Sequence, residues 1–413
     1  MNTQRLPAAS HLVDSRTAWL RLLVTLALMM VGASGMYVVP VVLPVVQADF
    51  GVARAAASLP YTLGMVGFGV GGLLMGKLAD RFGVAVPLSL GAVCLGLGFA
   101  LAAMANSIWL FALAHGLLIG LCGSSATFSP LLADTSMWFV RRRGIAVAIC
   151  ASGNYLGGAI WPPVVQHFVQ SVGWRTTYLG LGLFCGLTML ALAQLMRQRP
   201  PLAQAAAPHA AGASAAAPGS LPFGLPPAQA LALLCAAALG CCVAMSMPQV
   251  HIVAYCSDLG YGAARGAEML SLMLGCGIVS RLISGAICDR IGGLRTLLLG
   301  SGLQGIALLM FLPFDGLVPL YLVSAMFGLF QGGIVPSYAI IVREYFAPAT
   351  AGTKVGAVIM CTMLGMALGG WMSGKVFDLT GSYHAAFMNG IAWNLLNFGI
   401  VAFLLWRTRR VPT

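Results

Sequence analysis

Arg281 is the residue in this sequence whose type and position demand most of their surroundings. It stands in residues 269–288, MLSLMLGCGIVSRLISGAIC, where the only other ionisable side chains are thiols. Holding a guanidinium at mid-membrane depth costs about 2.5–3.5 kcal/mol on insertion scales, so such a residue faces water or a partner. The acceptor that suits it best is a carboxylate, gripped by two parallel N–H···O bonds. If the segment crosses a bilayer with its centre near Gly277, four residues of helix set the Arg281 backbone about 6 Å past that centre. The side chain leans back towards the helix N-terminus, which returns its charge to mid-membrane. The chemistry on offer is the binding of an organic anion.

The acidic residues narrow that chemistry. Asp49, Asp258, Glu268, Asp315 and Asp378 lie in or beside loops on one side, while Asp14, Asp80, Asp134, Asp289 and Glu344 lie on the other. None falls in the middle of an apolar run, so a cationic substrate would find no counter-charge there. One deep cation balances a monoanion, whereas a dianion would keep an uncompensated buried charge. A monocarboxylate is therefore favoured. Tyr37, Asn154, Tyr155, Gln331 and Thr362 are polar side chains within apolar runs that could contact a substrate carbonyl or hydroxyl; helix–helix hydrogen bonding is the alternative use of such groups. His115 titrates near neutral pH and could contact substrate or relay a proton, or it could be a packed histidine bonded to a carbonyl. His251 is a weaker case of the same kind. No metal-ligand spacing, catalytic constellation or phosphate loop occurs, so no enzyme, cofactor, metal or ATP-driven pump is expected.

The elements that must hold these residues follow from composition. Of 413 residues, 59% are hydrophobic and 8% charged, against about 25% charged in soluble domains; the mean hydropathy is +0.91. Twelve apolar runs are each long enough for one crossing, predicting an all-α membrane protein with twelve transmembrane helices. The reading is a cytoplasmic N-terminus 1–18, a six-helix bundle 19–196, a flexible linker 197–228, a second six-helix bundle 229–406 and a cytoplasmic C-terminus 407–413. The linker's centre, PPLAQAAAPHAAGASAAAPGS at 200–220, carries no Asp, Glu, Lys or Arg.

The net charge of +12 is a matter of topology rather than of nucleic acid. Of the 22 Lys and Arg, only Arg54, Arg175, Arg265 and Lys375 fall on the side opposite the termini, and Arg281 falls within a span; the other seventeen lie on the termini's side. That asymmetry places both termini in the cytoplasm. The 11 cysteines mostly sit in apolar runs and read as small core residues. The first apolar run is too long for a cleaved signal peptide and is expected to be retained.

The halves repeat. Gly76-Lys77-Leu78-Ala79-Asp80-Arg81-Phe82-Gly83 follows the second span, and Gly285-Ala286-Ile287-Cys288-Asp289-Arg290-Ile291-Gly292 follows the eighth, 209 residues later. Pro40 answers to Pro248, and Leu156-Gly157-Gly158 to Leu368-Gly369-Gly370. Several matches in one order at nearly one offset indicate duplication.

With twelve spans, a six-plus-six repeat and a doubled G-x-x-x-D-R-x-G, the chain resembles the major facilitator superfamily over essentially its whole length. The resemblance implies two pseudo-symmetric six-helix bundles and alternating access. It further implies a gating role for Gly76, Asp80, Arg81, Gly83, Gly285, Asp289, Arg290 and Gly292, with Asp134 a candidate partner for these charges. The span-eight arginine, Gly173-Trp174-Arg175, Trp138-Phe139 and Arg143-Gly144 are similar to the bacterial monocarboxylate and oxalate/formate carriers. The chain departs from that pattern in three places. Val84-Ala85 stand where a basic pair usually follows the motif, Gly277 stands where animal monocarboxylate carriers have an aspartate, and Lys354 and Lys375 lie only near the ends of span eleven. The expectation is a monomeric secondary carrier of small monocarboxylates such as lactate or pyruvate in a bacterial inner membrane, with protons as candidate coupling ion. Anion exchange, export of a larger neutral or anionic compound and, from another class, a non-transporting receptor stay open.

Overall fold

The structure is a computed structural model that describes residues 13–198 and 221–409; the stretch 200–220, read above as the centre of a linker, lies outside them. The described residues form helices and turns, with no strand among them. Twelve helical segments are long and apolar enough to cross a membrane. They are Arg16–Phe50, Arg54–Phe82, Ala85–Ala103, Ile108–Ser136, Gly144–Val172, Trp174–Leu195, Pro227–Asp258, Ala263–Ile291, Gly293–Met310, Leu317–Tyr345, Thr350–Thr380 and Tyr383–Thr408, spans one to twelve. The side on which span one begins is called the near side, and the opposite one the far side.

The turns carry the duplication. Gly51, Gly83 and Gly173 have φ of +60°, +87° and +81°, and Gly260, Gly292 and Gly381 have +82°, +82° and +64°. The paired positions are 209, 209 and 208 residues apart. Glycine alone enters this region without a Cβ penalty, so the last glycine of each G-x-x-x-D-R-x-G is the residue that ends its span. Gly292 turns the chain so sharply that span eight ends at Ile291 and span nine starts at Gly293.

Two compact units emerge. One comprises Met1–Val38 and Val66–His209, the other Val39–Met65 and Ala210–Thr413. The boundaries fall inside spans one and two, so their far ends belong with spans seven to twelve.

Within each unit, glycines let backbones touch, the usual way apolar helices associate in lipid. In the first unit a Cβ on Gly157 would lie 2.7 Å from the Met30 carbonyl oxygen of span one. In the second, a Cβ on Gly365 would lie 2.5 Å from that of Leu239 in span seven. Gly153 and Gly369 make similar approaches to Leu26 and Val243.

Spans four and ten are interrupted at matching places. Span four passes from Ile108–Leu113 through a π-helical Ala114–Gly123 and a 3₁₀ turn Ser124–Thr127 before resuming at Ser129. Span ten breaks between Gln331 and Ile334, at Gly332 and Gly333. Gly123 and Gly332 are again 209 apart. Broken helices at membrane depth free backbone polar groups and are where carriers build sites.

Gly328 and Gly399 give opposite tests of this packing. A Cβ on Gly328 would collide with the Met273 carbonyl oxygen, whereas Gly399 has open space around it. Gly328→Ala should lower the melting temperature of purified protein, by a cost of about 1–3 kcal/mol for overpacking. Gly399→Ala should leave it unchanged or raise it.

Candidate functional site

Arg281 lies half-buried on span eight, beside the break in span ten. Spans eight and ten meet along a seam: Cβ atoms on Gly328, Gly332 and Gly333 would strike Met273, Gly277 and Ser284. At this closeness the Arg281 Nε donates to the Gly332 carbonyl oxygen, 3.3 Å. That oxygen is available because residue 336, which would supply its helical donor, is proline and has no N–H. The Arg281 Nε is thus oriented by a backbone carbonyl of span ten.

Near it on span ten, Gln331 is fully buried and accepts at Oε1 from Gln249 Nε2 of span seven, 3.0 Å. The Gln331 Nε2 and the Ser280 hydroxyl find no partner among the described residues. Thr362 of span eleven is buried and donates to the Ile359 carbonyl, 2.6 Å. Gln249 escaped the sequence reading, which had no way to know that it meets Gln331.

The remaining predicted contacts belong to the first unit. Tyr37 donates to Asn154 Oδ1, 2.9 Å, and the Asn154 amide reaches the Met36 sulfur, 3.5 Å, so these two predicted residues do come together. Tyr155 next to them is buried. His115 is in a different place. It is 1% exposed, its Nδ1 lies 2.9 Å from the Phe111 carbonyl oxygen and its Nε2 lies 3.2 Å from the Tyr178 hydroxyl. Trp174 packs at right angles to both Phe111 and Tyr178, and the Arg175 guanidinium caps Trp174 at 4.3 Å. Both ring nitrogens are engaged inside an aromatic box, so of the two readings of His115 the contacts are those of the packed one. His251 is also enclosed, its Nε2 at 2.8 Å from the Gly370 carbonyl oxygen.

Asp134, expected as a partner for the repeated motif, is instead paired with Arg21. Arg21 donates through Nε to Oδ2, 3.0 Å, and through Nη2 to Oδ1, 3.1 Å, with both side chains buried. A further Arg21 bond reaches the Met196 carbonyl, 3.2 Å, and the guanidinium stacks over Trp138 at 4.6 Å. The reason is geometric: a buried fork-to-fork pair satisfies a carboxylate more fully than an exposed arginine could. Phe139 packs edge-on against Trp19, so Trp138-Phe139 shapes this near-side cluster, and Gly173-Trp174-Arg175 the box around His115. Slight burial pushes the Asp14 carboxyl up, but backbone N–H groups of Arg141, Val140 and Arg142 win and hold it below the ordinary carboxylate range. Asp80, Arg81, Asp289 and Arg290 are exposed, and Gly76 and Gly285 have open space beside them.

The second half uses its equivalent acid differently. Glu344, 210 residues after Asp134, accepts from the Gly293 N–H with both oxygens at 3.2 Å and caps span nine.

A family profile, that of the Major Facilitator Superfamily, matches residues 24–323 and again 269–413. The chain belongs to that superfamily. Monocarboxylate transporter 13 of Bos taurus is 29% identical over 328 residues, covering 78% of this chain and 74% of that protein. An MFS-type transporter of Bacillus subtilis, YcxA, is 25% identical and covers 83% of each chain. A solved peptide transporter, POT, in complex with alafosfalin shares the fold with a TM-score of 0.73 at 14% identity, over 94% of this chain and 95% of that one. This facilitator is therefore a multi-pass membrane transporter, not an enzyme, with the twelve helices and two pseudo-symmetric halves of its superfamily.

The Arg21–Asp134 pair supplies a test of near-side architecture. Asp134→Asn leaves a buried guanidinium without its counter-charge and should destabilise the facilitator by about 3–5 kcal/mol, read as a lowered melting temperature. Arg21→Met with Asp134→Leu should recover most of that loss. A single variant as stable as wild type would mean that the pair is not buried as described.

Proposed function

We propose that this facilitator is a secondary carrier of small monocarboxylates, lactate- or pyruvate-like, that works by alternating access in a bacterial inner membrane with both termini in the cytoplasm. The observation that carries the reading is Arg281: a guanidinium at the middle of span eight, its Nε oriented by the Gly332 carbonyl, with no acidic residue in the middle of any span. A guanidinium brings one positive charge and a planar fork of donors, which match a single carboxylate. Relatives named monocarboxylate transporters support the same class.

Polar side chains of the same unit extend the reading: Gln331 and Thr362 are the groups we assign to substrate oxygens beyond the carboxylate. His115 is left out, because both its nitrogens are used. Proton coupling then falls to the substrate, which can cross as the neutral acid or with a proton in place of a protein relay. Asp80, Arg81, Asp289 and Arg290 gate the near side, and the carrier acts as a monomer.

Arg281 is the decisive position. Arg281→Lys keeps the charge but loses the planar two-pronged grip, so carboxylate uptake into proteoliposomes should fall at least tenfold, a loss of about 1.4 kcal/mol or more in transition-state binding. Arg281→Gln should abolish it, and an ester or amide of the same acid should not compete. Normal uptake by well-folded Arg281→Gln protein would remove the anion-carrier reading.

The gating residues should behave differently. Asp80→Ala and Asp289→Ala should slow transport while leaving substrate affinity, measured by binding to purified protein, close to wild type. Equal losses of both would place these residues at the substrate.

A further inference from the structure

Arg54 was unremarkable in the sequence, one of few basic residues on the far side. In the structure it is 6% exposed and engaged by several partners. Its Nη2 donates to Asp258 Oδ2 at the end of span seven, 3.0 Å. Its Nη1 donates to the Tyr383 hydroxyl at the start of span twelve. Its guanidinium carbon lies 4.8 Å from the centre of the Phe377 ring of span eleven. The backbone is held as well: the N–H groups of Arg54 and Ala55 donate to Oδ1 and Oδ2 of Asp378, each 2.8 Å. Thus one carboxylate caps the first turn of span two and another pairs with its first side chain.

The contact continues along span two. Gly374 lies directly beneath Arg54 and Ala55, where a Cβ would come within 3.0 Å of the Ala55 backbone, and Gly370 meets the Tyr61 ring at 3.0 Å by the same measure. Thr62 donates to the Ala367 carbonyl, 3.1 Å. These contacts lie within the segment Val39–Met65, which groups with spans seven to twelve although spans one and two continue from there into the other unit.

Anion binding does not explain the cluster. One arginine between two aspartates carries net negative charge, which repels a carboxylate. The arrangement instead suits a fastening. Its ties are polar, its guanidinium is buried, and yet Asp258 has a side chain 40% exposed, so water can reach one of the ties and replace it.

We propose that Arg54 is a far-side latch. With Asp258, Asp378 and Tyr383 it holds the far ends of spans one and two on spans seven, eleven and twelve, and its release is a required step in opening the far side during the transport cycle. The latch is independent of which substrate is carried.

Ala367 reports on it. This residue is 3% exposed beneath Thr62, so Ala367→Cys should react slowly with a bulky water-soluble maleimide while the latch is shut. Labelling is measured on purified protein in nanodiscs, against protein without the added cysteine. Asp258→Asn with Tyr383→Phe keeps side-chain shape, removes two ties and should raise the Ala367→Cys labelling rate at least about fivefold, as expected of a population shift towards the open form. Arg54→Gln should do the same and should also slow uptake. Unchanged labelling in both variants, each eluting as folded protein, would overturn the proposal. So would fast labelling with the latch residues intact, or a lowered melting temperature with no gain in labelling, which would make the cluster structural only. A failure of the Arg281 experiment with success here would remove the substrate reading and keep the latch.

Discussion

A backbone carbonyl in hydrocarbon has no water to turn to, and a helix that breaks inside a membrane must find donors for the oxygens it frees. In span ten the break at Gly332 and Gly333, with Pro336 following, frees the Gly332 oxygen, and the donor it receives is Arg281. Much of the second unit is arranged to make that meeting possible. Glycines at 328, 332 and 333 bring span ten onto span eight closely enough for a side chain to reach across, and Gln331, on the same turn, is held by Gln249 of span seven. A half-buried cation and a carbonyl freed from its helix each offset part of the other's penalty.

The two halves share a plan and differ in what they place on it. Their turning glycines and interrupted spans match at offsets of 208–209 residues. Yet the position that answers to Arg281 in the first half is Gly72, and the one that answers to Arg21 in the second half is Ala230. With alanine at the position answering to Arg21, Glu344 accepts from the N–H of Gly293 and caps span nine. With Arg21 to hand, Asp134 makes an ion pair. The same backbone frame thus carries a charged anchor in one half and a helix cap in the other, decided by single residues.

How much of this was legible depended on distance along the chain. The twelve spans and the repeat are patterns of hydropathy and residue type readable along the chain, and the structure reproduces them. The partners of Arg54 lie 204, 324 and 329 residues away at Asp258, Asp378 and Tyr383. No local signal distinguishes Arg54 from an ordinary loop arginine. Asp134 and Arg21, 113 residues apart, were hidden for the same reason. His115 shows the converse: its residue type advertises proton chemistry, while its surroundings of Phe111, Trp174 and Tyr178 give it a packing role that only the fold reveals.

The glycine seam between spans eight and ten has a bearing on affinity. Where backbone meets backbone, there is no side chain that can swing aside to let one helix slide past the other, so the two spans move as one piece. Arg281 and the Gly332 carbonyl then travel together, like a tool clamped in its jig. The guanidinium keeps one orientation relative to its own helices whichever side is open. On the proposed role of Arg281, any difference in how tightly the two sides of the membrane capture the cargo must therefore arise in groups that are not clamped to that seam.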